Sequence, residues 1–198
     1  MLGVARPLGG AERLLTALIL AMLTGCATMP SRTPMRDPAE LRNWQAAGRI
    51  AVAGGEVGGS GSFLWEQHGD VATVRIHGPL GVGSLLLTVS GGDLRVETGD
   101  GQSYAAQEAQ AELEAKLGAP LPTGDLRYWL LGLAAPGDHA WVRPFVEADD
   151  AATLLQEAWR IDYRRFKVVD GVRLPGKLTA VSGGATVRIL IDRWKVPG

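Results

Sequence analysis

From residue 47 onward, apolar and polar residues alternate in short stretches separated by glycine-rich breaks. Leu94 and Val96, for example, are interleaved with Asp93, Arg95 and Glu97. A period of two puts one face of a strand in the core and the other in water. The pattern predicts strands over 47–53, 60–68, 71–77, 82–90, 93–98 and 102–106, and again over 153–167, 172–182 and 185–194. The breaks include Gly69-Asp70, Gly78-Pro79-Leu80-Gly81, Gly91-Gly92, Asp170-Gly171 and Gly183-Gly184. They are too short for the crossovers that parallel neighbours require, so an antiparallel meander is expected. Over 107–117 the period becomes helical: Ala109, Leu113 and Leu117 share one side, and Gly118 can end the helix. A second helix is predicted over 124–132, with Thr123 as N-cap and Leu126, Trp129, Leu130 and Leu133 on its apolar side. Residues 134–152 read as an irregular loop. Two helices set into a long meander predict a strongly curved sheet or incomplete barrel whose opening the helices cover.

The first residues follow another pattern. Arg6 and Arg13 precede an apolar run from Leu14 to Leu23, which is too short to cross a bilayer. The run ends in Leu23-Thr24-Gly25-Cys26, similar to the lipobox of a bacterial lipoprotein signal. Residues 1–25 are therefore expected to be a lipoprotein signal peptide, with Cys26 the acylated first residue of the mature chain. A plain secretory signal or a buried apolar helix are the competing readings. By resemblance to enterobacterial sorting rules, Ala27, rather than Asp, after the cysteine favours the outer membrane. Residues 26–38 read as the acylated cysteine and a flexible tether: 27–38 contain Pro30, Pro34 and Pro38 and reach up to roughly 35 Å at ~3.1 Å per residue. Residues 39–198 remain as a single domain.

Composition narrows the function. Lys and Arg number 20 against 21 Asp and Glu, so no basic excess argues for nucleic acid. A single cysteine excludes an internal disulfide framework, and with three scattered histidines no metal site is expected. No nucleophile elbow, H-E-x-x-H or Walker-type loop occurs. His68, His77 and His139 read as solvated, Glu112 and Glu114 as solvent-facing, and Asp149-Asp150 as a loop pair rather than an acid/base dyad. Arg164, Arg165 and Lys167, flanked by Tyr163 and Phe166, suit a solvent-facing strand or a patch that meets an acidic partner. No catalytic site is expected, and no cofactor beyond the covalent lipid on Cys26.

Six tryptophans are present. Trp65 shares a strand face with Phe63, and Trp159 with Ile161 and Tyr163; Trp129 lies on the second helix. Such a set forms either an ordinary core or the wall of an apolar pocket for acyl chains. The Gly78-Pro79-Leu80-Gly81 turn would present Leu80 at its tip, either folded back on the sheet or held out towards lipid.

The chain resembles the LolB family of outer-membrane lipoproteins, which receive other lipoproteins from a periplasmic carrier and insert them into the membrane. The resemblance runs from Trp44 to Trp194. It rests on Gly48-Arg49, Phe63-Leu64-Trp65, Gly78-Pro79-Leu80-Gly81, and Leu117-Gly118 before Leu121-Pro122. Leu126-Arg127-Tyr128-Trp129-Leu130-Leu131-Gly132, Gln156-Glu157-Ala158-Trp159, Leu174-Pro175-Gly176-Lys177-Leu178 and Trp194 complete it. Ala158 departs from the family's usual glycine, and the 54–61 stretch is richer in glycine than is typical. The resemblance implies a mainly β fold with α: an unclosed antiparallel β-barrel, a strongly curved meander with an α-helical lid over a hydrophobic cavity. It implies that Trp65, Trp129 and Trp159, with Leu126 and Leu130, line an acyl-chain cavity and that Leu80 inserts into the membrane. A periplasmic LolA-like carrier, cargo lipoproteins and outer-membrane lipid are the implied partners of a monomer anchored at the periplasmic face of the outer membrane. A lipid-anchored β domain that scaffolds envelope proteins is the alternative.

Overall fold

The computed structural model describes residues 35–54, 57–78, 83–117, 121–144 and 150–197. Cys26, Leu80 and Gly118 lie outside the described residues, as does the expected signal peptide. The chain divides into Met1–Thr33 and Pro34–Gly198. The sheet, the helices and every core residue described below belong to the second unit, which therefore carries its own core, the condition for a domain to fold alone.

A short 3₁₀ turn, Pro38–Glu40, opens the domain; Asp37 caps it by accepting from the Ala39 N–H at 2.9 Å. Six strands follow: β1 (Asn43–Gly54), β2 (Val57–His68), β3 (Val71–His77), β4 (Ser84–Ser90), β5 (Asp93–Thr98) and β6 (Ser103–Ala105). The helices α1 (Ala106–Leu117) and α2 (Leu126–Leu131) come next. The chain returns to strands in β7 (His139–Arg143), β8 (Ala151–Gln156), β9 (Trp159–Arg164), β10 (Lys167–Val169), β11 (Val172–Leu174), β12 (Lys177–Ser182) and β13 (Ala185–Lys195). Eleven strands form one antiparallel sheet in the order β6-β5-β4-β3-β2-β1-β13-β12-β9-β8-β7, and β10 and β11 form a separate hairpin. The first and last strands of the domain thus pair at the centre of the sheet, Ile50 opposite Ile189 and Val52 opposite Val187.

The expected strong curvature is not found. The sheet is open, with β6 and β7 as its two edges, and it neither closes nor curls strongly into a half-barrel roofed by a lid. Bulges bend sheets. Among the described residues the main ladder shifts register only between Ala47 and Gly48, where β1 meets β13, and between Trp141 and Arg143, on the edge strand β7. One interior irregularity in eleven strands gives no repeated corner around which a barrel could form.

The alternation does set the faces. Phe63, Trp65, Val74, Ile76, Leu85, Leu87, Leu94 and Val96 are buried on one side, while Arg75, His77, Arg95 and Glu97 on the other side are partly or fully exposed. The buried face continues through Val187, Ile189 and Ile191 to Ile161 and Tyr163. Both helices pack directly on it: Ala109 and Leu113 of α1, and Leu126, Trp129, Leu130 and Leu131 of α2, belong to the same core. Burying each large apolar side chain of this layer contributes about 1.5–3 kcal/mol.

Candidate functional site

The core is unusually aromatic where α2 meets the sheet. Trp44 of β1 stacks on Trp65 of β2, with ring centroids 5.8 Å apart and planes 10° apart, and touches Trp194 at 5.4 Å. Trp129 of α2 meets Trp159 of β9 at 5.7 Å. Trp141 lies beside Tyr163 at 6.1 Å, and Tyr163 beside Phe166 at 6.3 Å.

A buried indole N–H needs an acceptor, and three tryptophans of the cluster have one. Trp65 Nε1 donates to Gln67 Oε1 at 3.0 Å, and Gln67 Nε2 in turn donates to the Gly69 carbonyl at 2.9 Å. Trp194 Nε1 donates to the Pro175 carbonyl at 3.1 Å. Trp129 Nε1 donates to Gln156 Oε1 at 3.0 Å. The same oxygen accepts from the Ala135 N–H at 2.9 Å, and Gln156 Nε2 donates to the Ala135 carbonyl at 2.8 Å. Gln156 is only 1% exposed, so one amide at the end of β8 clasps both α2 and the segment that follows it.

Thr123 does not cap α2. The helix starts at Leu126 with Asp125 as N-cap, and no side chain bonds the cap position. Burial, and then the nearby charge of Glu157, hold the Asp125 carboxyl above its ordinary range. At the other end Gly132 adopts φ +78°, and its N–H bonds the Trp129 carbonyl at 3.0 Å while the Leu133 N–H bonds that of Tyr128 at 2.9 Å. This left-handed finish turns the chain so that Leu133 and Ala134 run back along the helix's flank.

Two pockets flank α2. One, of about 520 Å³, is bordered by Leu41, Trp44, Leu131, Leu133, Trp141 and His139. The other, of about 390 Å³, is bordered by Trp65, Ala72, Val89, Thr123 and Pro136. Gln67, Asp70, Arg127 and Tyr128 border both. Arg127 lies over the Tyr128 ring at 4.5 Å, donates to its hydroxyl, and reaches Asp70 at 3.3 Å, so a polar bridge from α2 to the β2–β3 turn separates the two spaces. A third pocket, of about 410 Å³, shares Leu131, Leu133 and Trp141 with the first and extends to Met35 and Phe166. All are within the ~300–1,000 Å³ usual for ligand sites.

Trp65, Leu126, Trp129, Leu130 and Trp159 are all buried in the core of the domain, and of the five only Trp65 borders one of these three pockets. Leu80 belongs to the connection between Gly78 and Gly83, outside the described residues. Gly78 itself has φ +136°, and a Cβ there would stand 3.0 Å from Gly61 Cα. His68, His77 and His139 are exposed, as expected, though His139 opens strand β7 rather than a loop. Sequence reasoning missed Gln67 and Gln156. The signal was present: Gln67 shares strand parity with Phe63 and Trp65, and Gln156 with Leu154, so both amides point inward.

The family model for the outer membrane lipoprotein LolB matches residues 42–194. This chain belongs to the LolB family. It is 32% identical over 191 residues to the outer-membrane lipoprotein LolB of Halorhodospira halophila, covering 92% of this chain and 94% of that one. The corresponding protein of Ectopseudomonas mendocina is 31% identical over 198 residues, covering 93% and 96%. Among solved structures, a LolA superfamily protein from Nitrosomonas europaea shares the fold, with TM-score 0.51, 13% identity, and coverage of 80% of this chain and 88% of that one. The chain is thus an outer-membrane, lipid-anchored protein of a non-catalytic family concerned with lipoprotein localisation.

Proposed function

We propose that this LolB-family chain accepts other lipoproteins from a periplasmic LolA-like carrier, holds their acyl chains between α2 and the aromatic face of the sheet, and releases them into the outer membrane. The observation that carries the reading is the pair of pockets flanking α2, walled by Trp44, Trp65, Leu131, Leu133 and Trp141 beside a core of further tryptophans. Three long acyl chains contain about 40 methylenes, which cost roughly 30 kcal/mol to expose to water. Such cargo passes only between shielded sites. A methylene fills about the space of a water, roughly 30 Å³, so the 520 Å³ pocket holds on the order of one chain. Uptake of more requires α2 to lift from the sheet, breaking the Arg127–Asp70 bridge and the Gln156 clasp. Trp65, Trp129, Trp159, Leu126 and Leu130 then become the wall that the chains meet. Leu80, on the 78–83 connection, is the residue that touches lipid during release; burying one leucine gains only ~1.5–3 kcal/mol, enough for transient contact.

The reading is tested with a photo-crosslinking residue placed at Leu133, in the pocket, or at Arg75, on the far face of the sheet, in chains mixed with loaded carrier. Crosslinks to the cargo's acyl chains from position 133 and none from position 75 are expected. Equal labelling from both positions, or none from either, would overturn the reading and favour an envelope scaffold.

A further inference from the structure

On the sheet face turned away from the helices, many charges are neutralised in pairs. Arg75 pairs with Glu66, Arg160 with Asp162 at 3.0 Å, and Arg49 with Asp192 at 3.1 Å. Around one hollow the pairing is sparse. A hollow of about 290 Å³ is bordered by Arg49, Ser60, Arg165, Lys177 and Arg188. Of its four cations, only Arg49 has a carboxylate partner among the described residues. Four of these side chains come from β1, β2, β12 and β13, brought together by register, with Ala51 of β1 opposite Ser60 and Arg188 and Lys177 of β12 opposite Leu190; Arg165 comes from the β9–β10 connection.

Arg165 is held there by backbone. It adopts φ +58°, a left-handed conformation that non-glycine residues seldom take. Its carbonyl accepts from the Gly176 N–H at 2.8 Å, and a Cβ on residue 176 would stand 2.6 Å from that oxygen. Strained backbone of this kind recurs where a side chain must be aimed. The hollow also lies near Gly78, two residues before Leu80 in the chain. Ser60 borders the hollow, and the position of Gly78 packs on Gly61 and on the backbone of Ser60 and Ser62.

We propose that this hollow binds the phosphate of anionic lipid headgroups and so fixes the orientation of the domain on the membrane. The guanidiniums of Arg165 and Arg188 offer forked donors suited to phosphate oxygens, and Lys177 and the Ser60 hydroxyl add further donors, while the Arg49 fork is engaged by Asp192. An acidic carrier protein would suit the charge equally, and the neighbourhood of the hollow decides for the membrane. A membrane touched by Leu80 would lie next to the hollow, because Gly78, two residues before it, packs on the backbone of residues 60–62. The proposal rests on the reading that Leu80 touches lipid, and the test separates the two.

Binding of residues 27–198 is measured on vesicles of phosphatidylcholine alone and of phosphatidylcholine with phosphatidylglycerol, for the wild type, for Arg165→Gln/Lys177→Gln/Arg188→Gln, and for Leu80→Glu. Each cation near an anionic surface contributes about fivefold, so the triple variant is expected to lose on the order of 100-fold on the anionic vesicles and nothing on the neutral ones. Wild-type binding to anionic vesicles should weaken with added salt. Leu80→Glu should weaken binding to both kinds of vesicle, and Arg188→Lys should keep most of the affinity. The three exposed or half-buried positions leave the core untouched, and an unchanged thermal midpoint checks this. A triple variant that binds anionic vesicles as the wild type does overturns the proposal, whatever Leu80→Glu does. A triple variant that keeps vesicle binding but no longer captures the carrier assigns the hollow to an acidic protein instead. Unchanged binding by Leu80→Glu beside a defective triple variant refutes the role of Leu80 and leaves the headgroup site standing.

Discussion

Gln156 ties α2 and the segment that follows it to the end of β8, and Gln156→Leu tests how much that tie holds. Leucine fills nearly the same volume, so the change removes hydrogen bonds without opening a cavity. Three buried groups lose their partner: Trp129 Nε1–H, the Ala135 N–H and the Ala135 carbonyl. Trp129 and Ala135 are each 1% exposed, so water does not replace the lost partner without movement. A buried polar group left unpaired costs about 1–3 kcal/mol. Three such groups give ~3 kcal/mol at the least, and the segment after α2 can relax enough to hold the total near that lower value. With a urea slope of about 2 kcal/mol per molar, the midpoint should fall by ~1.5 M. Adding Trp129→Phe should show coupling on the order of 1 kcal/mol in a double-mutant cycle, because the two changes share one hydrogen bond. Hydrogen exchange should report faster opening at Trp129 and Ala135, with the centre of the sheet protected. A loss below ~1 kcal/mol for Gln156→Leu, or no coupling to Trp129, would refute the clasp.

Three further changes bear on the fold. Gly48→Ala would put a Cβ 2.0 Å from the Leu190 carbonyl oxygen at the one interior bulge, and should cost ~3 kcal/mol or more by urea unfolding; a cost under ~1 kcal/mol would mean that β1 and β13 part there easily. Tyr163 is fully buried, its hydroxyl has no partner among the described residues, and burial keeps it protonated. Tyr163→Phe should therefore be neutral or stabilising by up to ~1 kcal/mol, and a clear loss would reveal a bond made by that hydroxyl. Asp125 is held above the usual carboxylate range by burial and then by Glu157. Its stabilising contribution is complete below the unfolded-state value and is lost as pH rises through the raised folded-state value. Asp125→Asn should accordingly gain over the wild type between acid and neutral pH, whereas parallel melting curves across that window would remove the carboxyl from the account.

The parts of this fold that sequence made legible are those whose chemistry is local. β3 and β5 have the predicted bounds because glycine turns delimit an alternating run on both sides. β7 was hidden in the expected loop over 134–152: it is an edge strand with little burial, so it has no alternation to reveal it. The strand expected over 153–167 is two, β8 and β9, because the turn falls at Glu157-Ala158, where Glu157 takes φ +50° with no glycine or proline to announce it. The strand expected over 172–182 breaks where Gly176 presses against the Arg165 carbonyl, a tertiary contact that hydropathy does not encode. Curvature failed for the same reason: alternation decides which face is buried, whereas bending depends on bulges whose positions the pattern does not contain. At the candidate site the tryptophans were legible from parity. The glutamines that bond Trp65 and Trp129 are not marked by hydropathy: only their strand parity with Phe63, Trp65 and Leu154 places them inward.

The central claim is tested most directly by a two-step transfer. The chain of residues 27–198 is mixed with carrier bearing a radiolabelled lipoprotein, and the label is followed onto the chain and then into outer-membrane vesicles, for the wild type and for Leu80→Glu. The account predicts both steps for the wild type, and for Leu80→Glu normal acceptance with no delivery. A wild-type chain that takes no label from a competent carrier, or a Leu80→Glu chain that loses both steps together, would contradict it.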